Sequence, residues 1–499
     1  MIQTKRLRPL VSACFAASAC LGSAGAFAQA PPLSESIVVG AWTFRPSLEA
    51  RVRGEYRRDA FQLDRTSFYG TDAVQADGFG SNLPEGSDIS DRVAATENAW
   101  VIAERIRLGL AVDRGPVTAV LKLQDARVLG GAAGLTLQRV AATAPGAGFA
   151  PYEGYIDLHA RSGRPMFLRL GRQAVQWGDG RLIGTNDFTA TGRSLDAARF
   201  GVELGDFDIE GLATVLGYPY LDLADPADEE EDADDGSDGS SSFSGAQLYG
   251  LKITGHFLPL LHAEVTGLAR IARPPTGNAL TPSDTFVVDG RLYGDYRGFH
   301  YSLEGAYQLG QVASYGKNRS IEAPAFAGRL EWETALPWHL TFGAQGAYAS
   351  GDKGAEKSTA DDPVTRFDPI LPDETANHSK MSLYAWSNLI EAGADLAMRP
   401  AEEVGISAGY RFVGLAEPTG RWVTGALTTV GADPDNTSII LGHEVDATIK
   451  VTPWDPITFQ AGYGLFLLGE GGQNILAKST ASKAEMQHWG YLQVTVKAP

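Results

Sequence analysis

Ser47–Tyr56 reads SLEARVRGEY. Ser47, Glu49, Arg51, Arg53 and Glu55 share one parity; Leu48, Ala50, Val52, Gly54 and Tyr56 share the other. Successive side chains of a strand point to opposite faces, so the segment has one charged and one apolar face. The same alternation returns, punctuated by turns, as far as Val496. A charged face needs water. An apolar face repeated over about eighteen strands, with no helical layer in the pattern to cover it, is most economically covered by lipid. The expected fold is therefore all-β: a transmembrane antiparallel up-and-down β-barrel with a polar interior. A soluble sandwich or solenoid would need a second layer or an even coil repeat, and the gaps are too uneven for that.

Candidate strands lie near 46–58, 98–113, 116–128, 152–161, 165–177, 194–204, 206–217, 246–256, 259–271, 284–296, 298–311, 323–334, 338–350, 388–399, 402–413, 440–452, 456–467 and 486–497. Tight turns such as Gly115-Pro116, Gly205-Asp206 and Arg297-Gly298 alternate with long polar or Gly-rich segments, among them 178–193, 218–245, 312–322 and 351–387. This alternation puts short turns and both termini on the periplasmic side and long loops outside. Outward-parity aromatics Tyr301, Tyr307, Trp332, Phe342, Tyr348, Tyr410, Phe412, Phe459 and Tyr463 suit interfacial girdles.

Residues 1–28 read as a secretory signal peptide: Lys5, Arg6 and Arg8 precede an apolar stretch, and Ala26-Phe27-Ala28 offers a cleavage site. Residues 29–45 then form a periplasmic N-terminal segment and 46–499 the barrel, placed in the bacterial outer membrane. Both cysteines, Cys14 and Cys20, fall inside the signal, so the mature chain carries no thiol chemistry. Acylation of Cys20 is the less favoured alternative. The first strand begins too soon after the signal to leave room for the plug of a TonB-dependent importer.

The formal net charge is −18, and ten acids with no base occupy 222–238. That block reads as a solvated loop; a calcium site on Asp232, Asp234 and Asp235 is a weak alternative, since no EF-hand spacing fits. His159, His256, His262, His300, His339 and His488 stand singly, without ligand spacing. No Gly-x-Ser-x-Gly motif stands out. Neither a catalytic residue, a metal centre nor a cofactor is expected, and the chain is not expected to be an enzyme.

From Leu168 the chain reads LRLGRQAVQWGDGRLIGTNDFTATGRSLDAARF. This stretch resembles the alginate export family, whose members show a GRQ, GDGR, G-x-x-D and GRS-x-D-x-x-R progression. RFDPILPDETANH (366–378) and LGHEVDATIKVTPWDPITFQAGYGLF (441–466) fit the same family. The resemblance implies an eighteen-stranded barrel that conducts an anionic polysaccharide outward through an arginine-rich constriction formed with inward-folded loops. The chain ends VTVKAP, where such barrels usually close on an aromatic residue.

The residues themselves are compatible with that expectation. Seven arginines against three acids lie between Arg161 and Arg199, and inward parity adds Arg51, Arg53, Arg105 and Arg107. Guanidinium groups stay charged and bind carboxylates in a planar fork, so a ring of them would attract a uronate polymer. Binding must stay weak enough for release. Candidate constriction residues are Arg51, Arg53, Arg105, Arg107, Arg169, Arg172, Arg181, Arg193 and Arg199, with Asp196 orienting its neighbours. The bland alternative makes each arginine a girder that pairs with a wall carboxylate; for Arg51 and Arg53, flanked by Glu49 and Glu55, the two readings weigh equally. Gly178, Gly180, Gly184 and Gly192 favour a loop that folds into the bore.

The expected partners are an anionic polysaccharide or small anionic solutes, outer-membrane lipid and periplasmic export proteins, with no nucleic acid and a monomeric barrel. The competing functions are a general or substrate-selective porin for small solutes and a surface barrel whose loops do the work.

Overall fold

The computed structural model describes residues 36–60, 97–130, 137–139, 150–160, 164–216, 245–258, 260–273, 282–314, 317–353, 362–427, 429–479 and 484–498. Residues 1–28, read above as a signal peptide, and the acidic run with Asp232, Asp234 and Asp235 lie outside these residues.

Eighteen strands make the wall: β1 (Trp42–Ala60), β2 (Glu97–Arg114), β3 (Val117–Gly130), β4 (Ala150–Ala160), β5 (Met166–Gln173), β6 (Leu195–Leu204), β7 (Phe207–Val215), β8 (Gly245–Leu258), β9 (Leu261–Arg273), β10 (Ser283–Tyr296), β11 (Phe299–Ser314), β12 (Lys317–Glu333), β13 (Thr341–Ala349), β14 (Leu389–Ala401), β15 (Val404–Gly414), β16 (Ile440–Trp454), β17 (Ile457–Leu468) and β18 (Met486–Ala498). Each pairs antiparallel with the next, and β18 returns to β1 from Leu48↔Ala498 to Arg58↔His488. The sheet is a closed barrel, which leaves no strand edge to satisfy in lipid. Two three-residue strands, Ile37–Val39 and Leu137–Arg139, extend it beside β1 and β3.

Parity works as the sequence implies. In β6, Leu195, Ala197, Arg199 and Gly201 are buried while Asp196, Ala198 and Phe200 are exposed. In β1, Arg51 and Arg53 are buried while Val52 and Tyr56 are exposed. Val265, Val288, Leu303 and Phe326 continue the outward apolar band. Seven of the nine girdle aromatics are exposed on this face; Tyr301 and Phe412 are half-buried. Phe299, Trp332 and Phe342 form a row across β11–β13, with ring centroids 5.6 and 6.3 Å apart.

Three expectations need correction. The segment 312–322 is not a long loop: β11 and β12 stay paired to Ser314↔Lys317. Asn318 and Ser320 are exposed there, so the polarity marks where the ladder leaves the apolar band and not where it stops. β5 ends at Gln173 rather than near 177 because the chain turns inward, bridging Trp177 to Ile183. The interior is also not polar throughout. Loop residues Val175, Trp177, Ile183, Phe367, Tyr384 and Trp386 belong to one buried apolar cluster. A helix, α1 (Glu470–Ser479), adds Ile475 and Leu476 to that cluster from the last long connection.

Candidate functional site

The β5–β6 connection, residues 174–194, folds into the barrel and is held on two sides. Positive φ at Gly178, Gly180 and Gly192 allows the sharp bends. Gly184 lies so close to Asp373 that a Cβ would sit 2.8 Å from its backbone nitrogen.

On the β7–β11 side, Trp177 Nε1 donates to Glu210 (2.7 Å), Arg291 donates to Asp179 (2.6 Å) and Arg181 donates to Glu304 (2.6 Å). Burial alone would raise the Asp179 carboxyl, but Arg181 and Arg291 more than offset this and lower it.

On the β1–β2 side, four arginines close around the loop. Arg51 donates to the carbonyls of Asp187 (2.7 Å) and Thr189, and Arg53 to that of Phe188. Arg105 pairs with Asp187 (3.2 Å) and with Glu49, while Arg107 donates to the Asp187 carboxylate (2.7 Å) and the Thr191 carbonyl (2.9 Å). Arg51 and Arg105 face each other in register. Like charges directly opposite repel, so the pair requires an anion or carbonyl dipoles between them, and the loop supplies both. Burial would raise the Asp187 carboxyl; Arg105, Arg107 and Arg51 overcome it and hold it well below the usual carboxylate range. Arg53 also lies 4.2 Å over the Phe188 ring, which packs edge-on against Tyr491 at 5.5 Å.

A second inward segment, 362–388, braces the first. Gly184 N donates to Leu371 O and Leu371 N to Leu182 O, both at 2.8 Å. Arg193 donates to the carbonyls of Leu371 (2.7 Å) and Pro372 (2.9 Å). This loop is tied to the wall through His378 to Glu391 (2.8 Å) and Ser379 to Glu444 (2.6 Å). The two loops thus form one hydrogen-bonded diaphragm across the bore.

The other expected residues divide. Arg169 faces inward and pairs with Asp157 (2.6 Å); Arg199, in register with Arg169, pairs with Glu210. Arg193 is buried between the two loops, and Arg181 is buried between the loop carboxylate Asp179 and the wall carboxylate Glu304. Arg172 and Asp196 pair with each other at 2.8 Å, and Asp196 shares the outward parity of Ala198 and Phe200. They correct the expectation of a constriction role: Asp196 orients neither Arg193 nor Arg199. The kink at Gly171, where φ is 123°, sits next to Arg172. Sequence reading passed over Arg329 and Arg411, which line the main cavity. For Arg411 the signal was available, since its neighbours Tyr410 and Phe412 had already been given outward parity.

Two cavities lie between this diaphragm and the short-turn rim. One, of about 580 Å³, is lined by Arg45, Arg107, Lys122, Arg169 and Lys497 together with Glu49, Asp113, Glu153, Asp157 and Glu203. The other, of about 730 Å³, is lined by Arg51, Asp187, Arg329, Lys380, Asp395 and Arg411, among others. Burial lowers the Lys380 ammonium, although Asp446 works the other way.

A model of the alginate export family matches residues 92–482. This chain belongs to the alginate export family. Among solved structures it is similar to OccK9 (OpdG) of Pseudomonas aeruginosa, with 11% identity, a TM-score of 0.54, and coverage of 91% of this chain and 98% of that one. OccAB2 of Acinetobacter baumannii gives 11% identity and a TM-score of 0.52, over 91% and 97% of the two chains. OccK8 (OprE) of P. aeruginosa gives 9% and 0.51, over 91% and 98%. At these identities the likeness concerns the fold. No curated protein matches the sequence. Family and fold together make this member of the alginate export family an outer-membrane channel barrel.

Proposed function

We propose that this channel exports an anionic polysaccharide, a uronate polymer in the manner of alginate, by passive flow and without catalysis. The observation that carries the reading is the 580 Å³ cavity, which runs from Arg45 near the short-turn rim past Arg169 and Lys122 to Arg107 at the loop cradle. A polymer with one carboxylate per sugar would pass along such cations by exchanging one planar fork for the next. Arg51, Arg53, Arg105 and Arg107 form the principal station in this reading, while Arg169 and Arg199, paired with Asp157 and Glu210, stiffen the wall beside it. Arg181 and Arg193 hold the loops that narrow the path.

The test is reconstitution in planar bilayers with uronate oligomers on the short-turn side. Anion preference and a concentration-dependent reduction of current are expected; cation preference with no response to oligomer overturns the reading.

One observation favours a second reading, a porin for small solutes. Carboxylates and bases line both cavities in near-equal number, so the bore carries no plain cationic surplus. Liposome swelling that tracks solute size alone, with no effect of solute charge, would establish that reading instead.

A further inference from the structure

We infer that His256 and His262 form a binding site for a borderline divalent metal ion, Zn²⁺ or Cu²⁺, at the short-turn mouth of the barrel. The two residues are register partners on β8 and β9, beside the short Leu258–Leu261 connection. Their Nδ1 atoms are 3.0 Å apart. Two nitrogens of one tetrahedral zinc, each about 2.0–2.1 Å from the metal, stand about 3.3 Å apart. A small opening of the pair therefore admits the ion.

The tautomers follow from the partners. His256 Nε2 is 2.8 Å from an Asp208 carboxylate oxygen. An ionised carboxylate only accepts, so Nε2 carries the proton and Nδ1 turns its lone pair toward His262. Imidazole oriented by a carboxylate behind it is the usual arrangement of a metal-binding histidine. His262 is steadied from the other side by Tyr293, its register partner on β10, stacked at 5.1 Å between ring centroids. In the metal-free state the His262 Nδ1 proton bridges the two rings. Metal binding moves that proton to Nε2 or to solvent and leaves two Nδ1 lone pairs on the ion.

Among the described residues, no group of three or more His, Cys, Asp and Glu is arranged for a metal, so this is a two-ligand site with its remaining positions open to water. Imidazole nitrogens select Zn²⁺ and Cu²⁺ over Ca²⁺ and Mg²⁺, which take oxygen ligands. The other described histidines meet different chemistry: His300, His339 and His378 face Asp295, Glu333 and Glu391, His443 and His488 face the hydroxyls of Tyr410 and Tyr463, and His159 lines the 580 Å³ cavity.

The test is a titration of the full chain, purified without a polyhistidine tag, with Cu²⁺ followed by electron paramagnetic resonance and with Zn²⁺ by calorimetry. One ion per chain with a two-nitrogen signature is expected. His262→Gln and His256→Gln should each weaken binding at least about tenfold, and Asp208→Asn about ten- to a hundredfold. His300→Gln should leave it unchanged, and heat-modified gel mobility confirms that each variant is folded. Absence of stoichiometric binding, or full-strength binding that survives both His256→Gln and His262→Gln in folded protein, overturns the assignment.

Discussion

Two arginine pairs sit in register inside this barrel, and they are neutralised differently. Arg169 and Arg199 are matched by carboxylates of the wall itself, Asp157 on β4 and Glu210 on β7. The cradle of Arg51, Arg53, Arg105 and Arg107 has the wall acids Glu49 and Glu55, and completes its coordination with Asp187 and the carbonyls of a loop. A wall carboxylate stays wherever its strand is. A loop can leave. The Asp187 side chain keeps 47% of its surface exposed, against 2% for Arg105. The first pair is thus a girder, and the second is an anion site occupied by part of the protein.

The largest effect separating the two comes from removing a wall acid. Glu210→Ala leaves Arg199 buried and unpaired and also strips a partner from Trp177 and Lys252. A loss of about 3–5 kcal/mol is expected in urea unfolding of the barrel in lipid. A loss below 1 kcal/mol would break the distinction.

Asp187→Asn removes a charge from the loop but keeps the backbone carbonyls that Arg51, Arg53 and Arg107 use. Its expected cost is about 1.5–3 kcal/mol of loop attachment, seen as faster proteolysis of 174–194, together with a rise in anion preference. Phe188→Ala should cost about 1–2 kcal/mol by the same assay, because it removes the ring beneath Arg53.

The smallest effect is that of pH. The Asp187 carboxyl is depressed, so its contribution is present above the ordinary carboxylate range and is lost only as pH falls through the lower folded value. Proteolysis of the loop should be the same at pH 8 and pH 5. Release between those values would contradict the pairing.

The wall was legible because parity is a local property: Val52 and Arg53 declare their faces without help from the rest of the chain. Where local polarity changed meaning, reading went astray. Asn318 and Ser320 look like loop residues but lie in a strand that rises beyond the apolar band. The glycines of 178–192 announced an inward bend, yet nothing local could supply the partners. Arg193 finds Leu371 and Pro372, 178 and 179 residues away. Arg172 and Asp196 were misplaced because proximity in sequence to Arg169 and Arg199 was taken for a shared face, while the parity of Leu170 and Phe200 places them outside. His256 and His262 are six apart and looked single; only the tight turn between β8 and β9 brings their rings together.

The account turns on the cradle being the carboxylate station of the channel. Its most direct test is block of single-channel current by uronate oligomers in wild type and in the double variant Arg51→Gln with Arg105→Gln. Block that weakens at least about tenfold in the variant, with open conductance retained, is the predicted result; identical block in both would contradict it.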